Sequence, residues 1–183
     1  MMILLLLSAS SVAAPPEPNA KTTALEHEIK AAFIYNIAKF IEWPKHNTEA
    51  YPDQITLCIF GNNTFNESLE TIRNRLVKKR RLVITQTYDI DELTHCQIVF
   101  LKLDKKNIGK IDDIISASNL NHSLTISDQQ YGNFQKEIIQ LYTQGDEIRF
   151  KINIDAANSA QLVISSRLQQ LASHIYHSQR EGQ

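Results

Sequence analysis

Cys58 and Cys96 are the most informative chemical pair in this sequence. Cys58 lies inside an apolar run, Ile55 to Phe60, and Cys96 stands just before another, Ile98 to Leu103. A catalytic thiol needs a neighbour that lowers its pKa, and the chain has no Cys-x-x-Cys pair. His95 adjoins Cys96, but successive side chains on an extended strand point to opposite faces. If the two runs are neighbouring strands, as in a doubly wound sheet of order 2-1-3, the cysteines can bridge. A disulfide suits an oxidising compartment. The competing reading is two buried thiols acting as small hydrophobes.

The other reactive types do not converge. Of six histidines, His174 and His177 are spaced to share a helix face, with no Asp, Glu or Cys close in sequence to complete a metal site. Near a helix C-terminus they fit the helix dipole and solvent better. Ser165-Ser166 falls in a helical pattern and lacks the glycines of a nucleophile elbow. Ser127-Asp128 follows a strand, at the end of a parallel sheet where ligands bind, although a polar turn is the plainer reading. No nucleophile, base and orienting group come together, so the sequence predicts neither an enzyme, a metal site nor a cofactor. Lys78-Lys79-Arg80-Arg81 is the one concentrated charge. Such a run can meet an anionic partner, but more often it is a solvated loop.

These residues must be positioned by alternating elements. Thr23 and Glu26 have capping-box spacing, and Leu25, Ile29, Phe33, Ile37 and Phe40 follow at helical intervals. Ile34, Ala38 and Ile41 widen the apolar surface, and Pro44 ends the helix. Because Phe33, Tyr35, Lys39, Phe40 and Trp43 gather here, with apolar residues on more than one side, this segment is the candidate partner-binding surface; the alternative is burial in the core. Strands are expected over Ile55–Phe60, Leu82–Thr87, Ile98–Leu103 and Leu124–Ile126. Between them, a helix capped by Thr64 carries Phe65, Leu69, Ile72 and Leu76, and one capped by Asp104 carries Ile108, Ile111 and Ile115. Ile138–Tyr142 and Glu147–Ile152 flank a Gln144-Gly145-Asp146 turn. Asp155 caps a last helix with Ile164, Leu168, Leu171 and Ile175 on its core stripe. The resulting fold class is α/β: a three-layer sandwich, mostly parallel, with a C-terminal antiparallel hairpin and long first and last helices.

The chain's 183 residues suit one domain, and 19 Lys+Arg against 20 Asp+Glu give no electrostatic case for nucleic acid. Met1–Leu7 is apolar and Ser8–Ala14 small, so residues 1–14 read as a signal peptide cleaved after Ala13 or Ala14, despite an n-region without Lys or Arg. Pro15, Pro16 and Pro18 mark a linker over 15–23. The domain is then 24–177, with a polar tail over 178–183, and the mature protein is expected outside the cytoplasm.

The stretch from Ile29 to Pro44, IKAAFIYNIAKFIEWP, resembles the opening of the YfiR family of exported regulators. Leu57-Cys58-Ile59-Phe60-Gly61, Cys96-Gln97-Ile98-Val99-Phe100-Leu101 and Ile148 to Asn153 agree in order and spacing. So do Ala156-Ala157 and Leu162 to Leu168, and the resemblance spans Glu28 to Ala172. It implies a periplasmic inhibitor of a membrane-anchored diguanylate cyclase that lowers cyclic di-GMP output and biofilm formation. It also implies release by an outer-membrane lipoprotein, redox modulation through disulfides, and a homodimer. The first cysteine pair of the family carries over to Cys58 and Cys96; the second pair of its best-known type is absent here. The alternative function is a periplasmic small-molecule or nucleotide-binding module, with its ligand near Asn62 and Ser127.

Overall fold

The computed structural model describes residues 20–49, 51–62, 65–128 and 136–177. The expected signal peptide, most of the linker, Thr64 and the tail lie outside these. The first helix, α1 (Ala20–Ala38), begins inside the expected linker, so Thr23 is helical and not its cap. β1 (Ile41–Glu42) and α2 (Lys45–Glu49) lead to β2 (Gln54–Gly61), α3 (Asn66–Glu70), β3 (Leu76–Val77) and β4 (Arg80–Thr87). Then come β5 (Ile98–Lys102), α4 (Ile111–Leu120), β6 (Leu124–Ser127), β7 (Ile139–Gln144) and β8 (Glu147–Asn153). The chain closes with α5 (Ile154–Ser159), β9 (Val163–Ile164), α6 (Ser166–Leu171) and β10 (His174–Tyr176).

The main sheet has eight strands in the order β10-β8-β7-β6-β5-β2-β4-β3. β4, β2, β5, β6 and β7 run parallel, β8 returns antiparallel to β7, and β10 adds parallel to β8. β2 therefore lies between β4 and β5, the expected 2-1-3 arrangement. Its residues alternate between two cores: Ile55, Leu57 and Ile59 face one, Cys58 and Phe60 the other. Both faces of the sheet are thus covered, which is why the parallel strands are continuous apolar runs. This is the α/β sandwich expected from the sequence.

Four local expectations change. On α1, Ala31, Ile34, Ile37 and Ala38 are buried while Leu25 is 57% exposed, so the core face joins the second apolar set to Ile37 of the first stripe. Ile29 and Phe33 are half-buried at the edge of that face, and Leu25 lies outside it. On α4 the buried residues are Ile111, Ile114 and Ser118, and Ile108 is exposed. Asp104 instead accepts from the Lys106 and Asn107 backbone N–H groups, capping a turn ahead of the helix. Leu76 leaves its helix for β3 and is 60% exposed.

The expected long last helix is broken into α5, β9, α6 and β10. Asn153, not Asp155, is the first cap, accepting from Ala156 N at 2.9 Å. Gln161 takes a left-handed φ of 56° and stops α5. Ser165 restarts the helix by accepting from Leu168 N at 3.3 Å. β9 pairs with β1, and Ile175 is a strand residue. His174 and His177 therefore do not share a helix face.

Candidate functional site

Three places could carry function. The first is the cysteine pair. The structure joins Cys58 and Cys96 in a disulfide with Cα atoms 5.7 Å apart. Both are buried, at 2% and 1% exposure, beside Leu93, Val99 and Leu101. The bond ties mid-β2 to the residue that enters β5.

The second place is the C-terminal end of the parallel strands, which carries Ser127-Asp128. Ser127 is fully buried and donates to Glu137 Oε1 at 2.6 Å, so its hydroxyl faces inward and not toward a ligand. Asp128 is no plain polar turn. Its carboxylate receives Lys30 Nζ of α1 at 3.0 Å and Lys102 Nζ of β5 at 3.1 Å. Lys30 also reaches Glu26 at 2.7 Å, and Thr143 of β7 donates to Glu26 at 2.8 Å. Lys102 Nζ stands 4.7 Å from the centroid of Phe65, on whose ring His27 stacks.

Lys30 and Glu26 are held in their ionised forms by their partners. Burial alone would lower the Lys30 pKa, but Asp128 and Glu26 outweigh it and raise the value. Burial would raise Glu26, but hydrogen bonds from Lys30 and Thr143 bring it down. His27 is pushed down by burial and by the two lysines, which favours the neutral ring. Among the described residues, Glu137 Oε2 has no hydrogen-bond partner, and burial raises its pKa. Sequence reasoning missed Lys30, Lys102 and Glu137. Lys30 carried a readable signal, a cation among the apolar residues of α1. Asn62 lies at the rim, donating its N–H to the Lys102 carbonyl at 3.2 Å. Gly61 makes that crossing possible: its φ is 106°, and a Cβ there would overlap the Lys102 carbonyl.

The third place is the α1 surface. Its five expected contact residues divide. Tyr35 is 7% exposed, with its hydroxyl donating to Leu76 O at 3.1 Å, so it contributes little outer surface. Lys39 Nζ covers its ring at 3.8 Å. Trp43 is half-buried, and its Nε1 donates to the Gln97 carbonyl at 3.0 Å. Phe40 is half-buried, with the Arg167 guanidinium 6.0 Å from its centroid. Phe33 meets Phe150 edge-on at 6.1 Å and lines an open cavity of about 310 Å³ with Ile148, Arg149 and Leu171. Leu171 is 64% exposed.

Among the described residues, no cluster of three or more His, Cys, Asp or Glu side chains could hold a metal ion, and no helix is long and apolar enough to cross a membrane.

No curated protein matches the chain. Among solved structures, it is similar to a conserved domain protein from Vibrio cholerae O1 biovar eltor str. N16961, at 11% identity and TM-score 0.48 over 72% of this chain and 58% of that one. It is also similar to the ABC domain in complex with L-Trp from Streptococcus pneumonia, at 7% identity and TM-score 0.45, covering 76% and 62%. The chain thus spans less than two thirds of either protein, and neither score supports a shared fold or function. The YfiR/HmsC-like family, in contrast, matches residues 27–173, from within α1 to the residue before β10. That span holds both cysteines, the Lys30–Asp128–Lys102 charges and most of α1, and the chain belongs to the YfiR/HmsC-like family.

Proposed function

We propose that this chain is an exported, non-catalytic regulator that inhibits a membrane-anchored diguanylate cyclase by contacting its periplasmic region, lowering cyclic di-GMP. The observation that carries this reading is the YfiR/HmsC-like match across the domain. The apolar N-terminal segment and the Cys58–Cys96 bridge both suit an oxidising compartment. The contact surface is the outer side of α1 with its neighbour α6: Leu25 and Leu171 are exposed, and Phe33 lines the cavity between α1 and β8. Exposed apolar patches of this kind mark protein contacts. The same surface serves a homodimer, and an outer-membrane lipoprotein releases the cyclase by competing for the regulator.

Deleting the gene in a strain with the cognate cyclase should raise cyclic di-GMP and biofilm matrix. Crosslinking from membranes with the exported chain as bait should recover the cyclase. Unchanged cyclic di-GMP would count against the proposal.

A second reading, a periplasmic small-molecule or nucleotide-binding module, draws on Lys30 and Lys102 at the C-terminal ends of the strands. Both lysines already hold Asp128, so a ligand would have to compete with an internal carboxylate. A thermal shift with one member of a nucleotide and amino-acid panel would favour this reading.

A further inference from the structure

The basic run Lys78-Lys79-Arg80-Arg81 is more than a solvated loop. Lys78 and Lys79 form the two-residue turn of the β3–β4 hairpin, in which Val77 pairs with Arg80 and Leu76 with Arg81. Both turn residues have positive φ, 48° and 72°, and Asn74 nearby has 62°. A turn with two left-handed residues favours Asn-Gly, and a side chain such as lysine is strained there. The chain nevertheless places two lysines at the tip, and strain of this kind tends to persist where it has a use.

The tip is extended by its surroundings. Arg75 lies over one side of the Tyr35 ring, 4.3 Å from its centroid, and Lys39 lies over the same ring at 3.8 Å. Arg73 donates to the Ile84 carbonyl at 3.1 Å, closing the outer edge of β4. The acids along this corner are Glu42, which Lys78 approaches at 3.7 Å, Glu70, which pairs with Arg73, and Asp53. Seven cations against three acids leave a strong local excess on a chain with net charge -1. Leu76 projects from the middle of the patch with 60% of its surface exposed.

We infer that this corner is a membrane-surface contact that rests on anionic lipid headgroups, with Leu76 entering the interface. The corner is a protruding turn and not a groove, which suits a flat, diffuse anionic surface better than a single acidic peptide. Arg73 occupies the Ile84 carbonyl on this edge of β4, beyond the short β3 pairing. A cationic patch with an apolar residue at its centre is the composition that holds a protein at a headgroup layer. Contact here is independent of which protein the chain regulates, and it keeps the protein within a Debye length of the bilayer surface, about 10 Å at 0.1 M salt.

The test is co-sedimentation of the full chain, recovered from the periplasm after export, with phosphatidylcholine vesicles with and without about 30 mol% phosphatidylglycerol. Binding should require phosphatidylglycerol and weaken with salt. Lys78→Gln with Lys79→Gln should reduce it by about thirtyfold, at the typical contribution of a surface cation. Lys78→Asn with Lys79→Gly removes the same charges while relieving the turn, so it should lose binding and melt higher than the parent. Leu76→Ser should weaken binding without changing the salt slope. Equal binding to both vesicles, or unchanged binding by the Asn-Gly variant, overturns the inference. So does capture of a poly-glutamate peptide through these lysines with no vesicle binding, which would assign the corner to an acidic protein.

Discussion

Removing the Cys58–Cys96 bond should lower stability by about 4 kcal/mol while leaving the fold in place. The bond closes a loop with a sequence separation of 38. In the chain-entropy model a loop of that length restricts the unfolded state by about 13 cal/mol/K, or about 4 kcal/mol at room temperature. The native state should tolerate the loss. β2 and β5 are already paired from Leu57↔Ile98 to Gly61↔Lys102, and Gln97 bonds Thr56 in both directions through its backbone and side chain. Both sulfurs sit among Leu93, Val99 and Leu101, where a thiol or an alanine is acceptable. The perturbation is Cys58→Ala with Cys96→Ala, compared with the oxidised parent by urea denaturation. The midpoint should fall with an unchanged native circular dichroism spectrum, and the melting temperature should drop by roughly 8–16 °C for a domain of this size. Because both sulfurs are buried, dithiothreitol should reduce the parent slowly under native conditions and quickly in urea. Stabilities within about 1 kcal/mol of each other would show that the bond does not constrain the unfolded chain as the entropy model requires.

Three further outcomes follow from the strand ends. Asp128→Asn leaves Lys30 paired with Glu26 and Lys102 with no carboxylate among the described residues, and should cost roughly 3 kcal/mol, read by chemical denaturation; a neutral effect would mean that the cluster relaxes into solvent. Gly61→Ala should cost roughly 3 kcal/mol or prevent folding, because it adds a Cβ at positive φ against the Lys102 carbonyl; wild-type expression and melting would contradict that geometry. Glu137 has a folded pKa above its unfolded value, so its protonated form favours folding below about pH 4 and that stability is lost as pH rises through the folded value. Glu137→Gln keeps an acceptor for Ser127 and should melt higher than the parent at neutral pH, with the difference shrinking as the pH is lowered; a constant difference across pH would refute the titration.

The parallel core is legible in local pattern alone. Runs such as Ile55–Phe60 and Ile98–Leu103 are apolar throughout because both faces of each strand are covered, and no other local structure suits so short a run between turn residues. The same holds for the Gly145 hairpin, where a left-handed φ of 61° follows from local chemistry. The cysteine pair was legible only as a choice between bridge and buried thiols, since pairing depends on which strands become neighbours. The remaining features depend on contacts between distant segments. The last segment reads as one helix by periodicity, yet β1 and β8 offer backbone groups that draw Val163–Ile164 and His174–Tyr176 into strands. α1 has apolar residues on more than one side, and the sheet it packs on selects Ala31, Ile34, Ile37 and Ala38 for the core. Lys30, Lys102 and Asp128 are far apart in sequence, and a buried charge is stable only with its counterion. Their meeting is therefore a product of the strand order, which no local pattern encodes.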